Sequence, residues 1–219
     1  MTSYEWYAQK KKEALTRIIA MDYNDVLYVG LDRSLTNTGI ALVSGQTLIH
    51  KDVFGSKLYG IERLKDLSSQ VIMLIHKHQS DFSKVFVITE NYAFGRINQA
   101  HALGELGGVM CLYLEMKKID YVKVAPTLLK KYVSGTGMSK KDLLIMNVYK
   151  RFGIETRNSD EADAVGLAFL GCSSIFYAKG VTGNTKKDIE CFDKFLSTEL
   201  AKKGKNKSGK KLFEEVRDF

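Results

Sequence analysis

The sequence predicts an α/β protein built on one five-stranded mixed sheet with helices on both faces. Three observations predict it. Three strand-like runs, 26–32, 38–44 and 47–54, follow one another through short links, as in an antiparallel meander. Two more runs, 84–90 and 121–125, alternate with helical patterns, which makes the sheet mixed. No internal repeat and no linker divides the 219 residues, so the chain reads as one domain with additions.

Residues 3–20 read as an added amphipathic helix anchored by Trp6, Leu15, Ile18 and Ile19, and broken by Asp22, Asn24 and Asp25. The run Val-Leu-Tyr-Val-Gly-Leu at 26–31, closed by Asp32, is a strand buried on both faces. Thr38–Ser44 and Thr47–Phe54 join through a turn at Gly45. Leu58–His78 carries helical spacing at Leu58, Ile61, Leu64, Leu67, Val71, Leu74 and Ile75. Val-Phe-Val-Ile-Thr at 85–89 is a fourth strand that ends on Glu90. A helix over Ile97–Lys117 and a fifth strand over Tyr121–Ala125 follow. Pro126, the only proline, opens a short helix, where its missing N–H costs nothing. After a Ser134–Gly137 loop come helices over Lys140–Phe152 and Glu161–Ala178. Three segments result: an added N-terminal helix over 1–24, a core domain over 25–180, and a helix with a lysine-rich tail over 181–219.

A 45% hydrophobic content suffices for a packed core. No apolar run is long enough to span a membrane, and Lys10, Lys11 and Lys12 interrupt any signal-peptide pattern. Cys111, Cys172 and Cys191 form no CxxC pair and read as buried thiols of a reducing, cytoplasmic compartment. The net charge is +8, and its location says more than its size. Residues 117–151 hold nine lysines and arginines against Asp120 and Asp142, and Lys202–Lys211 holds six lysines and no acid. Such clusters suit a polyanion such as nucleic acid, or a merely solvated surface.

Four acids carry the chemistry. Asp32 and Glu90 end predicted strands; Asp160 and Asp163 stand three apart at the start of a nearly all-apolar helix. Hard divalent cations need such oxygen ligands, and two ions about 4 Å apart can clamp a phosphodiester. Each acid also has a plainer reading. Asp32 and Glu90 also read as ordinary polar strand ends, and Asn158-Ser159-Asp160-Glu161 as a capping box. Capping does not account for Asp163, whose apolar neighbours imply a buried carboxylate that needs a cation. After Glu90, the segment Asn91-Tyr92-Ala93-Phe94-Gly95-Arg96 offers aromatics and a base suited to unstacked nucleobases, or aromatics that pin the loop to the core. Lys130 and Lys141 flank the Ser134–Gly137 loop, in reach of a scissile phosphate if the acids bind metal. The four histidines show no ligand spacing, and Gly104, Gly107 and Gly108 suit close helix packing within one chain or between two.

With these residues in place, the chain resembles the RuvC family of Holliday-junction resolvases, which have the RNase H-like fold. The resemblance is ordered and spans about 26–178. It rests on Gly-Leu-Asp32 with Thr38-Gly39, on Val-Ile-Thr-Glu90, and on Ala102-Leu-Gly-Glu-Leu-Gly-Gly108. It continues through Leu129-Lys-Lys-Tyr-Val-Ser-Gly-Thr-Gly137 with Lys141, and ends on Asp160-Glu-Ala-Asp-Ala164. Five weak motifs in order make a strong one. The resemblance implies a crossover junction endodeoxyribonuclease in which Asp32, Glu90, Asp160 and Asp163 hold two Mg²⁺ (or Mn²⁺) ions, with Lys130 and Lys141 at the cut strand. It implies a homodimer, joined through the helix after Glu90, that nicks opposed strands of a four-way DNA junction. The DNA surface would comprise Tyr92, Phe94, Arg96, Lys123, Lys130, Lys131, Lys140 and Lys141. Arg33 stands where the family usually has proline, and the loop after Glu90 is one residue shorter than in familiar bacterial members. With the extra termini, these departures resemble a bacteriophage version acting in the host cytoplasm. A broader branched-DNA nuclease for flaps and forks is the main alternative. A sugar-kinase or actin-like ATPase is another, because Gly-Leu-Asp…Thr-Asn-Thr-Gly also resembles the first phosphate loop of that superfold; no second phosphate loop follows. A non-catalytic binder of branched DNA is the third, and it would gain nothing from carboxylates facing phosphate.

Overall fold

A computed structural model describes residues 3–91, 97–136 and 141–197. Five strands, β1 (Val26–Asp32), β2 (Thr38–Ser44), β3 (Thr47–Phe54), β4 (Lys84–Glu90) and β5 (Asp120–Val124), form one sheet in the order β3-β2-β1-β4-β5. The first three pair antiparallel, and β4 and β5 extend the sheet parallel to β1. The expected mixed five-stranded sheet is the one found.

Alternation along the strands divides the core in two. Leu27, Val29, Leu31, Ile40, Leu42, Val85 and Val87 face one side and pack on α2 (Gly60–His78) and α3 (Ile97–Met116). Val26, Tyr28, Ala41, Val43, Phe86 and Ile88 face the other and pack on α6 (Ser159–Ala178). Around α6 stand α1 (Ser3–Ala20), α4 (Pro126–Ser134), α5 (Lys141–Phe152) and α7 (Lys186–Leu196). The near-continuous apolar sequence of α6 is explained by this central position.

The two terminal additions belong to that second core. Ala14, Leu15 and Ile18 of α1 are buried in it, as are Cys191, Phe192, Phe195 and Leu196 of α7. α1 also covers β5, an edge strand whose open N–H groups would otherwise invite foreign pairing. The main-chain N–H of Lys123 donates to the Tyr7 hydroxyl, and Arg17 forks onto Asp120 at 2.6 and 3.2 Å. The Lys11 ammonium donates to the Ser197 carbonyl at 2.9 Å, and burial pulls its pKa down to about 8.

Three expectations need correction. Trp6 does not anchor α1; it lies exposed at the open end of the helix. Leu58 and Ile61 are exposed too: Leu58 precedes α2, which starts only at Gly60, and Ile61 lies in its first turn. The capping box of α6 is half made. Asn158 does cap, its side chain accepting from the Glu161 N–H at 2.9 Å. The Glu161 carboxylate does not return to Asn158. It is fully buried and accepts from the Arg157 main chain (2.6 Å), the Arg157 guanidinium (2.9 Å) and the Lys51 ammonium (3.2 Å).

Burial works to raise the Glu161 pKa, but Arg157 and Lys51 outweigh it and hold the carboxyl below its usual range. A carboxylate held low contributes stability that is present above its unfolded pKa and lost as pH falls through the folded one. Glu161→Gln should therefore cost about 1–3 kcal/mol at pH 7, allowing for the exposure of Arg157. The gap in urea midpoint between wild type and variant should shrink as pH is lowered below about 4.5. A gap that stays constant from pH 7 to pH 3 would contradict this account.

Candidate active site

Two properties of the sheet bring Asp32 and Glu90 together. β1 and β4 are parallel neighbours, and their register sets Leu31 opposite Thr89, so the next residues, Asp32 and Glu90, leave the sheet side by side. Both also share the face of Tyr28, Phe86 and Ile88, because side chains alternate with period 2. That face is the one covered by α6. The Thr89 hydroxyl, on the opposite face, donates to the Leu31 carbonyl at 2.9 Å and ties the two strand ends.

α6 brings the other two acids by lying directly on the backbone of the sheet. A Cβ at Gly30 would stand 1.9 Å from the Ala164 carbonyl oxygen and 2.5 Å from the Ala168 nitrogen. A Cβ at Gly39 would stand 2.1 Å from the Asp160 carbonyl oxygen. Only glycine permits that approach, which sets the first turn of α6 beside the end of β1.

Electrostatics reports the result. Burial pushes the Asp32 pKa well above the usual carboxylate range, and the charges of Asp163, Glu90 and Asp160 push it further; Arg33 opposes them. Burial raises Glu90 as well, against Lys130 and Arg33. All four expected acids therefore act on one locus, and Lys130 of α4 borders it. Among the described residues, no three His, Cys, Asp or Glu side chains converge as a ready-made metal cage. The donor set, all carboxylate with no thiolate or imidazole, fits a hard divalent cation such as Mg²⁺ or Mn²⁺.

The other expected site residues divide. Lys123 lies beside Thr89 in the β4–β5 register, so its side chain leaves on the face opposite Glu90, its ammonium over the Tyr7 ring at 5.6 Å. Lys131 is engaged by Glu190 of α7 at 2.6 Å. Tyr92, Phe94, Arg96 and Lys140 lie outside the described residues, as does the side chain of Lys141, the first residue of α5. Sequence reasoning missed Arg33 as a member of the site. Its guanidinium donates to the Glu90 main-chain carbonyl; its position next to Asp32 and its departure from the family's usual proline were the available signals. His50 and His78, which share no sequence spacing, stack at 5.1 Å between β3 and α2.

The fold and the strand-end carboxylates define an RNase H-like α/β protein with an acidic centre. A family model described as crossover junction endodeoxyribonuclease RuvC matches residues 28–170, and the chain belongs to the RuvC family. It is similar to the RuvC of Hydrogenovibrio crunogenus, with 26% identity over 163 residues, covering 70% of this chain and 90% of that protein. The RuvC of Brachyspira hyodysenteriae is 24% identical over 155 residues, covering 68% and 94%. Among solved structures, Thermus thermophilus RuvC matches with a TM-score of 0.55 at 22% identity, over 71% of this chain and 96% of that one. The same protein in complex with Holliday junction substrate matches with a TM-score of 0.55 at 20% identity, over 70% and 95%. α1 and α7 lie outside the family match.

The close approach at Gly39 yields a prediction. Gly39→Ala should cost about 1–3 kcal/mol in urea denaturation, because the N-terminal turn of α6 must lift off β2. It should also weaken Mn²⁺ binding in calorimetry, as Asp160 and Asp163 move away from Asp32. Wild-type stability with wild-type cation affinity would show that α6 does not need this approach.

Proposed function

We propose that the protein is a cation-dependent endonuclease that resolves four-way DNA junctions by paired nicking. The observation that carries this reading is that Asp163, Glu90 and Asp160 all act on the buried Asp32 at the end of β1, in a chain of the RuvC family. Its support includes a relative whose structure is described as a complex with Holliday junction substrate.

Asp32, Glu90, Asp160 and Asp163 would hold Mg²⁺ or Mn²⁺, whose chemistry when bound is to acidify water and neutralise charge on phosphodiester oxygens. The chain supplies the rest. The strand ends and the first turn of α6 fix the carboxylates on a rigid frame, so little reorganisation accompanies the reaction. The apolar wall beneath them, Tyr28, Phe86, Ile88 and Ala164, excludes water from below and strengthens charge interactions at the centre. Lys130, close enough to Glu90 to lower its pKa, presents an ammonium to the developing charge of a phosphate bound there. Lys141 opens α5 across the 135–140 segment and is assigned the same role from the sequence. Tyr92, Phe94, Arg96 and Lys140 are assigned to the DNA on the same basis, while Lys131 and Lys123 serve first as internal contacts.

Paired nicking needs two sites, and α3 offers a face for a second copy. Gly104 and Gly108 meet nothing within 4 Å of a built Cβ, Leu112 and Met116 are exposed, and Gly107 is turned inward. These positions recur at helical spacing on one stripe. The chain should therefore run as a dimer in light-scattering chromatography, and Leu112→Asp should produce monomers that melt within a few degrees of wild type. A wild-type monomer at micromolar concentration would remove the paired mechanism.

The decisive experiment is cleavage of a labelled four-way junction with Mg²⁺, alongside flap and linear duplex. Wild type should cut opposed strands symmetrically and lose activity in chelator. Asp32→Asn should still bind but cut at least about a hundredfold more slowly. Equal cutting of flaps and junctions would point to the broader nuclease, and binding without cleavage in either Mg²⁺ or Mn²⁺ to a non-catalytic protein.

A further inference from the structure

We propose that Arg33 is a positioning residue for the carboxylate centre: its guanidinium replaces the missing backbone rung between the ends of β1 and β4 and stands among the acids as a fixed positive charge that an incoming divalent cation must share. The proposal rests on the cation-binding reading of the site and concerns how this chain assembles it.

The backbone accounts for the first half. The β1–β4 ladder runs to Leu31 and Thr89 and then ends. Beyond it the strands part. The Asn91 N–H turns to β5 and donates to the Val124 carbonyl at 2.7 Å. β1 enters the tight link to β2, where the Thr38 hydroxyl donates to the Ser34 carbonyl at 2.7 Å. Between these diverging ends the Glu90 carbonyl has lost its strand partner, and the half-buried Arg33 donates to it. The bond ties the residue after Asp32 to the main chain of Glu90, and it adds to the Thr89–Leu31 bond in holding the two strand ends together.

Charge accounts for the second half. Among the described residues, Arg33 acts on both Asp32 and Glu90, and Lys130 acts on Glu90. A guanidinium stays charged at every accessible pH, so its compensation of the acids is permanent. The same charge repels a divalent cation and lowers its affinity.

The test uses the full chain with Arg33→Gln and Arg33→Lys, Mn²⁺ calorimetry without DNA, and melting in chelator. Arg33→Gln should bind Mn²⁺ about fivefold or more tightly than wild type, since a repelling charge is gone. It should melt below wild type in chelator, and the deficit should narrow as Mn²⁺ saturates the site. Arg33→Lys keeps the charge but not the planar fork, so its Mn²⁺ affinity should stay within about twofold of wild type while its melting falls between the two. Unchanged or weaker Mn²⁺ binding by Arg33→Gln overturns the shared-charge role, as does Arg33→Lys behaving like Arg33→Gln. Wild-type melting of both variants in chelator overturns the tie. Failure of wild type to bind Mn²⁺ would instead overturn the cation reading, and the chelator melts would still decide whether Arg33 holds the strand ends.

Discussion

At Gly30 and Gly39 the backbone of α6 rests on the backbone of β1 and β2 with no side chain between them, and the acidic centre depends on that approach. Helices usually sit on sheets at a distance set by side chains, near 10 Å between layers. Gly30 and Gly39 remove that spacer at two points along one line, under Ala164 and Asp160. Dispersion rewards the fit, since small residues let many atoms reach optimal separation. The consequence is positional. The first turn of α6 is pressed against the end of β1, and short aspartate side chains suffice to reach the locus of Asp32.

Charge compensation separates two classes of acid in this chain. Asp120 is desolvated, yet Arg17 and Lys84 hold its pKa below the usual range. Asp188 is treated likewise by Arg151 and Thr185, and Glu161 by Arg157 and Lys51. Asp32 and Glu90 go the other way, with burial and acidic neighbours exceeding what Arg33 and Lys130 return. A protein that neutralises its structural carboxylates and leaves a few under-compensated in one place has stored unfavourable energy there. Such an imbalance would be relieved by a bound cation. The contrast is sharpest within one turn of α6, where Glu161 points into a basic clamp and Asp163 adds its charge to Asp32.

Sequence sufficed where local rules decide. Apolar runs and turn residues placed all five strands within a residue, and the final acid of each of two strands marked the site. Period-2 alternation makes that inference physical, because Asp32 and Glu90 share parity with the core-facing Tyr28 and Phe86. Tertiary facts were not legible. Glu161 looks like a capping residue until Lys51, more than a hundred positions away, arrives beside it. Arg33 looks like a loop base, since nothing local shows that the Glu90 carbonyl has lost its rung. Helical periodicity placed Leu58 and Ile61 on an apolar stripe, but Leu58 precedes α2 and Ile61 stands exposed in its first turn. For the docking of α7 into the main core, the reading of Cys191 as a buried thiol was the one hint.

That docking bears on how positive charge is distributed near the acids. The stretch 117–151 carries nine lysines and arginines, which a count would treat as one basic surface. α7 divides them. Its Glu190 engages Lys131, and its Asp188 engages Arg151 at 2.5 Å. Lys123 leaves the sheet on the far face. Lys130 and Lys131 are adjacent in sequence but lie about 100° apart on α4, so one meets the acidic centre while the other meets α7. A segment outside the family match therefore consumes part of the family's basic stretch in internal ion pairs. Among the described residues, the positive charge beside the carboxylates is narrower than composition implies, and it is set by which lysine each helix turns inward. Phosphate recognition by this chain should accordingly depend on a few placed cations more than on net charge.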